Sequence, residues 1–182
     1  HTDEFVTRPA TFVEEWREAG HDFPGGFDPE AYLLDAVENP RPVRPGERLP
    51  LGDRSLEYIH TPGHSRAHMG VLDQVDRVLY GGDVIHRDGG LYAHFEGCDL
   101  EAYRETFQRL IDLRDAGEFD VLVTGHGEPI KGDDLAVLET LRDGLDRILD
   151  GDADAEIVET DWGPANRYEI DGAPVFTRMD DD

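Results

Sequence analysis

Apolar side chains that recur at helical spacing predict three amphipathic helices. The clearest pattern spans Leu100–Asp115, where apolar residues return every three or four positions on one face. The same spacing predicts a second long helix around Leu138–Leu149 and an earlier one over Pro9–Ala19. A short fourth helix is predicted after Asp28, which can cap it, with Pro29 at its first position.

Short apolar runs bounded by turn residues predict strands between and after these helices. The predicted strands are Leu56–His60, Met69–Leu72, Val78–Tyr80 and Val121–Val123. The segment 39–50 carries four prolines and one glycine, which favours an ordered connector or sheet edge over a helix. The tail from Glu156 to Thr177 alternates in polarity and predicts two strands joined by a turn at Asp171-Gly172. Together these patterns predict one α/β (α+β) domain over residues 1–182.

The charge balance of the chain excludes several classes of partner. Acidic residues outnumber basic ones by 42 to 17, the formal net charge is −25, and Lys131 is the sole lysine. Such a surface repels nucleic-acid phosphates and anionic lipids, so neither partner is expected. No apolar run approaches the roughly 20 residues that a membrane-spanning helix needs. The single cysteine, Cys98, excludes an internal disulfide.

The same composition indicates a compartment and a habitat. A strongly acidic, nearly lysine-free chain is typical of a salt-loving organism, where salt screens the repulsion between like charges. We therefore expect a cytoplasmic, halophilic protein. The sequence does not indicate an oligomeric state.

Candidate chemistry follows the ends of three predicted strands. His64 follows the first strand, Asp83 follows Gly81-Gly82 after the third, and His126 follows Gly125 after the strand Val121–Val123. Strand ends in one sheet can converge, and loops at such ends commonly carry function. Imidazole nitrogen and carboxylate oxygen are ligands that suit zinc, iron or manganese.

The order of these motifs resembles the metallo-β-lactamase superfamily. The resemblance runs from about Pro45 to Ile130 and rests on the lead-in Pro-Gly-Glu-Arg-Leu-Pro-Leu-Gly, then His-Thr-Pro-Gly-His-Ser, Gly-Asp and Gly-His-Gly-Glu-Pro. It implies an αββα sandwich in which His64 ligates a first metal, Asp83 bridges two metals and His126 ligates the second. Two zinc ions are expected in the complete site, with iron or manganese as alternatives. The resemblance further places His86 and His94 in a loop near the substrate, as candidate pocket residues.

One part of the superfamily pattern is not present in the chain. The His-x-His-x-Asp-His string, which supplies the remaining ligands from an N-terminal βα unit, does not occur. We therefore expect the chain to be an incomplete, C-terminal portion of such a domain. His64, Asp83 and His126 alone suffice for one zinc ion with an open position.

The resemblance implies three alternative functions. The first is a metal-dependent hydrolase that attacks a small-molecule carbonyl substrate, such as a thioester, ester or lactone, with a metal-activated water. The second is a mononuclear iron dioxygenase of the same fold, which would oxidise a persulfide. The third is a non-catalytic or truncated module with an incomplete metal site. No catalytic residue beyond the metal ligands is indicated.

Overall fold

The computed structural model describes residues 9–18, 20, 23–33, 35–86, 90–160 and 163–179. The chain divides into two units, residues 1–43 and 44–182. The first unit contains helices α1 (Pro9–Glu18) and α2 (Pro29–Tyr32). The prediction of a helix from Pro9 is thus confirmed as far as Glu18, and Ala19 lies outside the described residues. The short helix predicted at Pro29 is also confirmed.

The second unit contains two sheets. The larger sheet has six strands in the order β1-β2-β3-β4-β6-β7. These strands are β1 (Arg48–Pro50), β2 (Ser55–His60), β3 (Met69–Asp73), β4 (Val78–Gly82), β6 (Val121–Thr124) and β7 (Ile130–Lys131). The four predicted strands are therefore confirmed within two residues at each end. The proline-rich connector ends in the edge strand β1, a position where proline is tolerated because one side of the strand makes no ladder hydrogen bonds.

The smaller sheet shows that the prediction for the tail was incomplete. Its order is β5-β10-β9-β8, with β5 (Leu91–Ala93), β8 (Glu156–Thr160), β9 (Gly163–Ile170) and β10 (Ala173–Thr177). The turn at Asp171-Gly172 joins β9 and β10 as expected, and Asp171 adopts the positive φ of 47° that this turn uses. The prediction of two strands was wrong, because β8 adds a third antiparallel strand. The parallel partner β5 comes from far earlier in the chain and has no local signal.

Two long helices share one core with both sheets. They are α3 (Leu100–Asp115) and α4 (Val137–Leu149), and a 3₁₀ turn over Gly132–Ala136 precedes α4. Tyr103 and Phe107 of α3 and Leu141 of α4 are fully buried in this core. Leu122 joins it from the larger sheet and Val175 from the smaller one. Burying these side chains removes apolar surface from water, which stabilises the arrangement of helices and sheets. No helix in the described part of the chain combines the length and apolar character of a membrane span.

Strand direction places three loops at one edge of the larger sheet. β2 and β4 each pair antiparallel with β3, so they run in the same direction. β4 also pairs parallel with β6. The carboxyl ends of β2, β4 and β6 therefore lie at the same edge, and the residues that follow them can converge.

Candidate metal centre

Asp83 lies at the centre of this edge, directly after β4. Its Oδ2 atom is 4.0 Å from His64 Nε2, and its Oδ1 atom is 3.5 Å from His126 Nε2. The Asp83 side chain is 38% exposed. The carboxylate thus turns a different oxygen toward each of the two histidines, and the three predicted residues lie together.

The N-terminal part of α3 holds the loop that carries His64. The amide of Asp99 donates a hydrogen bond to the Gly63 carbonyl at 2.9 Å. The Thr106 hydroxyl donates to the Pro62 carbonyl at 2.7 Å. These bonds fix the backbone immediately before His64, so the orientation of its ring depends on the position of α3.

Gly63 is required in this loop by both its backbone conformation and its surroundings. Its φ of 136° lies in the region that favours glycine. A Cβ atom at this position would also overlap the Tyr103 ring. The Tyr103 hydroxyl lies 3.5 Å from the Asp83 carbonyl, so the same side chain packs on the His64 loop and contacts the Asp83 backbone. Burial raises the pKa of Tyr103 well above its ordinary value, which keeps this hydroxyl protonated.

Cys98 supports the loop and is not among the clustered donors. Its thiol donates to the His64 carbonyl at 3.2 Å. Burial raises the pKa of the thiol above its ordinary value, which favours the neutral form over a thiolate.

His126 is presented by a close contact between β4 and β6. The Gly125 amide donates to the Gly82 carbonyl at 2.7 Å, and the Thr124 hydroxyl donates to the His126 carbonyl at 2.7 Å. A Cβ atom on Gly125 would overlap the Asp83 carboxylate. Glycine is therefore needed for the two strand ends to approach. The His126 side chain is 67% exposed and is the most open member of the cluster.

His68 connects two strand ends through its ring. Its Nδ1 atom donates to the Thr61 carbonyl at 3.0 Å, because a carbonyl can only accept. Its Nε2 atom accepts from the Asp83 amide at 3.3 Å, which requires the neutral ring. Burial lowers the pKa of His68, which favours that neutral form. His68 therefore holds the Asp83 backbone.

His86 joins the cluster, although its sequence position indicated only the substrate pocket. Its Nε2 atom lies 3.7 Å from Asp83 Oδ1, and its ring stacks on that of His126 with centroids 4.5 Å apart. Asp83, His86 and His126 each offer one ligand atom within 4.8 Å of the other two. Burial lowers the pKa of His86, with a smaller contribution from His126. The neutral imidazole is the form that binds a metal.

His94 lies in an aromatic group beside the cluster. Its ring centroid is 4.2 Å from that of Phe95 and 6.0 Å from that of Tyr92. Phe95 in turn lies 6.1 Å from the His64 ring. Burial lowers the pKa of His94. The predicted role of His94 in the substrate pocket stays a prediction.

A cleft of about 400 Å³ adjoins His86. Apolar side chains line part of it, namely Ile85, Ile130 and Val137. Thr140 and two aspartates of the 3₁₀ turn add polar groups. A cleft of mixed lining beside a cluster of convergent polar groups is the usual form of a small-molecule site.

The donor atoms of the cluster fit a bound metal ion. His86 Nε2, which faces Asp83 Oδ1, is buried and has no hydrogen-bond partner in the described part of the chain. Leaving such a group unpaired costs about 1–3 kcal/mol, which a bound cation at His86 Nε2 would offset. Imidazole nitrogens with one carboxylate oxygen suit zinc or another transition metal better than calcium or magnesium.

Comparison with known protein families gives a match over most of the chain. The family described as the metallo-beta-lactamase superfamily matches residues 2–126. That range includes His64, Asp83, His86 and His126.

Individual relatives are similar over about half of the chain. It is 33% identical over 101 residues to the protein named acyl-coenzyme A thioesterase MBLAC2 of Homo sapiens, covering 56% of this chain and 36% of that protein. It is 30% identical over 99 residues to hydroxyacylglutathione hydrolase GloC of Haemophilus influenzae, covering 54% of this chain and 43% of that protein. The chain thus spans less than half the length of these relatives.

A solved structure supports the fold. A metallo-beta-lactamase family protein from Thermus thermophilus superimposes with a TM-score of 0.54 at 24% identity, covering 81% of this chain and 50% of that one. This likeness confirms the mixed α/β fold class. The family match over residues 2–126 shows that the chain belongs to the metallo-beta-lactamase superfamily.

Proposed function

We propose that the chain carries the metal-binding part of a metal-dependent acyl hydrolase that cleaves a small thioester, ester or lactone. The observation that carries this proposal is the convergence of His64, Asp83 and His126 at the ends of β2, β4 and β6. Asp83 presents Oδ2 to His64 at 4.0 Å and Oδ1 to His126 at 3.5 Å. This division of the two oxygens supports a carboxylate shared between two zinc ions, with His64 as a ligand of one and His126 of the other.

The chemistry of such a site requires donors that are held in place before substrate binds. A bound zinc ion lowers the pKa of a coordinated water toward neutrality and polarises a carbonyl oxygen. The residues of this chain supply the positioning: His68 holds the Asp83 amide, and the α3 contacts hold the loop before His64. The adjoining cleft of about 400 Å³ has room for a small acyl group beside the cluster.

The names of the relatives favour acyl substrates. One is named a thioesterase and another a hydroxyacylglutathione hydrolase, so both are named for the removal of an acyl group. We therefore rank thioesters first among the carbonyl substrates. A cytoplasmic location fits acyl-carrier thioesters and belongs to the same proposal.

The test is hydrolysis of a short-chain acyl-coenzyme A by the zinc-loaded protein. The release of the coenzyme A thiol measures the reaction. Asp83→Asn is expected to lower turnover by more than about 100-fold, since even partners that only orient a ligand are worth 10–100-fold. Glu105→Ala, an exposed change on α3, serves as the matched control and should leave turnover unchanged. Equal turnover in Asp83→Asn and the unmodified protein would reject the proposal.

A second candidate is the iron dioxygenase that oxidises a persulfide. The observation that favours it is the two-histidine, one-carboxylate group of Asp83, His86 and His126, a donor set used by non-haem iron oxygenases. Oxygen consumption by the iron-loaded protein with glutathione persulfide distinguishes this activity from hydrolysis. Oxygen uptake without thiol release from the acyl-coenzyme A would replace the first proposal with this one.

A further inference from the structure

We propose that His86 is a metal ligand and that Asp83, His86 and His126 together hold one transition-metal ion within this chain. The proposal rests on the metal-dependent function above and adds a ligand to it. It makes His86 a metal ligand, whereas its sequence position suggested a residue of the substrate pocket. The His-x-His-x-Asp-His string would not be needed for this ion.

The two distances from Asp83 Oδ1 are close to the edges of a coordination polyhedron, and all three ligand atoms lie within 4.8 Å of one another. Two ligands bound to one zinc ion at about 2.0–2.1 Å in a tetrahedral site lie roughly 3.3–3.4 Å apart. Asp83 Oδ1 lies 3.5 Å from His126 Nε2 and 3.7 Å from His86 Nε2. Both histidines thus face the same carboxylate oxygen at nearly the required separation. His64 faces the other oxygen, Oδ2.

The His86 ring is held in this position by its surroundings. Its backbone forms a pair of 3.0 Å hydrogen bonds with Gly90, donating from the His86 amide and accepting at the His86 carbonyl. Its ring contacts Tyr92 of β5 at a centroid distance of 4.9 Å. A Cβ atom on Gly90 would overlap the backbone of Pro174, so Gly90, the hydrogen-bond partner of His86, lies closely against the smaller sheet. The side chain is 18% exposed, and a ring restrained in this way loses little freedom when it binds a metal.

The unpaired nitrogen of His86 is the second independent observation. Nε2 is buried and accepts or donates no hydrogen bond among the described residues. It is the same atom that faces Asp83 Oδ1. A buried imidazole nitrogen that faces a carboxylate oxygen, with a second imidazole close by, matches what a zinc or iron(II) ligand set requires.

His86 also connects the proposed metal site to the cleft. His86 lines the cleft of about 400 Å³, whereas Asp83, His126 and His64 are not among its lining residues. An ion held by His86 would therefore be bound to one residue of the cleft wall. Three protein ligands leave a coordination position for water or substrate.

The direct test follows the ring nitrogens of the uniformly ¹⁵N-labelled protein by NMR during titration with zinc chloride. We expect the His86 Nε2 resonance to shift on addition of one equivalent, together with that of His126. His60, whose Nε2 contacts the Arg66 carbonyl at 3.0 Å, should not shift and serves as the internal control. If the protein is saturated with zinc and the His86 Nε2 resonance does not change, the inference is wrong. The experiment uses the unmodified protein, so it does not depend on whether a variant folds.

Variants separate this inference from the proposed function. His86→Phe keeps a ring against Tyr92 and removes the ligand, so zinc affinity should fall by more than about 100-fold. His60→Phe is the matched control and should retain the original affinity. If His86→Phe binds zinc normally while Asp83→Asn and His126→Ala do not, the role of His86 is wrong and the metal site stands. If all three variants bind zinc normally, the proposed metal-dependent function fails as well.

Discussion

At the scale of single residues, Asp83 is the residue that contacts most of the other members of the candidate site. Its two oxygens face different histidines, and its amide is held by His68. This arrangement depends on Gly125, which leaves the space that the carboxylate occupies. The position of one carboxylate therefore depends on residues from three strand ends.

Gly125→Ala should weaken metal binding without unfolding the protein. The added methyl group overlaps Asp83 Oδ1 and must displace the carboxylate, so we expect zinc affinity to fall by about 10–100-fold. Competition with a chromophoric chelator measures this affinity. Gly25→Ala is the control, because its added methyl group meets no atom within 4 Å. Unchanged zinc affinity in Gly125→Ala would show that this close approach does not matter for binding.

The sequence predicts that His64, Asp83 and His126 lie close together, but it does not predict that His86 lies beside them. His64, Asp83 and His126 each follow a short apolar run and a glycine turn, which is a local signal. The His86 backbone forms hydrogen bonds with Gly90, and the Gly90 backbone lies against Pro174 of the smaller sheet. The contact between Gly90 and Pro174 joins segments far apart in the chain, and no local pattern encodes it. The sequence indicates a glycine turn at Gly125. The contact between Gly125 and Asp83 depends on the parallel pairing of β4 and β6, which the sequence does not indicate.

At the scale of elements, α3 links the core to the candidate metal centre. Its buried face packs Tyr103 and Phe107 into the core, while its first turns bond to the loop before His64. Asp99 caps the helix by accepting from the Ala102 amide at 2.9 Å. The sequence predicted both ends of this helix, because its spacing and its length are local properties.

Asp99→Ala should lower the free energy of unfolding by about 1 kcal/mol, the usual cost of losing an N-cap side chain. Chemical denaturation measures the change. Glu105→Ala removes the same charge from an exposed position of the same helix and should stay within about 0.5 kcal/mol of the unmodified protein. Equal destabilisation by the two changes would mean that charge, and not capping, is responsible.

Elements that form through distant pairing were the ones that the sequence did not reveal. β5 pairs parallel with β10, and β7 is only two residues long, so neither produces a strong pattern. The tail predicts two strands and not three, because the alternation of its residues does not show where β8 ends and the next strand begins. The local sequence can indicate that a segment forms a strand, whereas the sheet that the strand joins depends on distant residues.

At the scale of the whole molecule, composition and fold give different information. The net charge of −25 describes the surface and argues against nucleic-acid phosphates as partners. It does not describe the metal centre, where a bound cation would be the largest local charge. The halophilic habitat and the cytoplasmic location stay predictions. The mixed α/β fold is confirmed by the two sheets and the long helices around one core.

The central claim is that the strand-end cluster binds a transition metal. Anomalous diffraction from zinc-soaked crystals, recorded on both sides of the zinc absorption edge, tests it most directly. We predict a peak about 2.0–2.2 Å from an Asp83 carboxylate oxygen and from His126 Nε2. Zinc density confined to other residues, or no density at Asp83 in zinc-saturated crystals, would contradict the account.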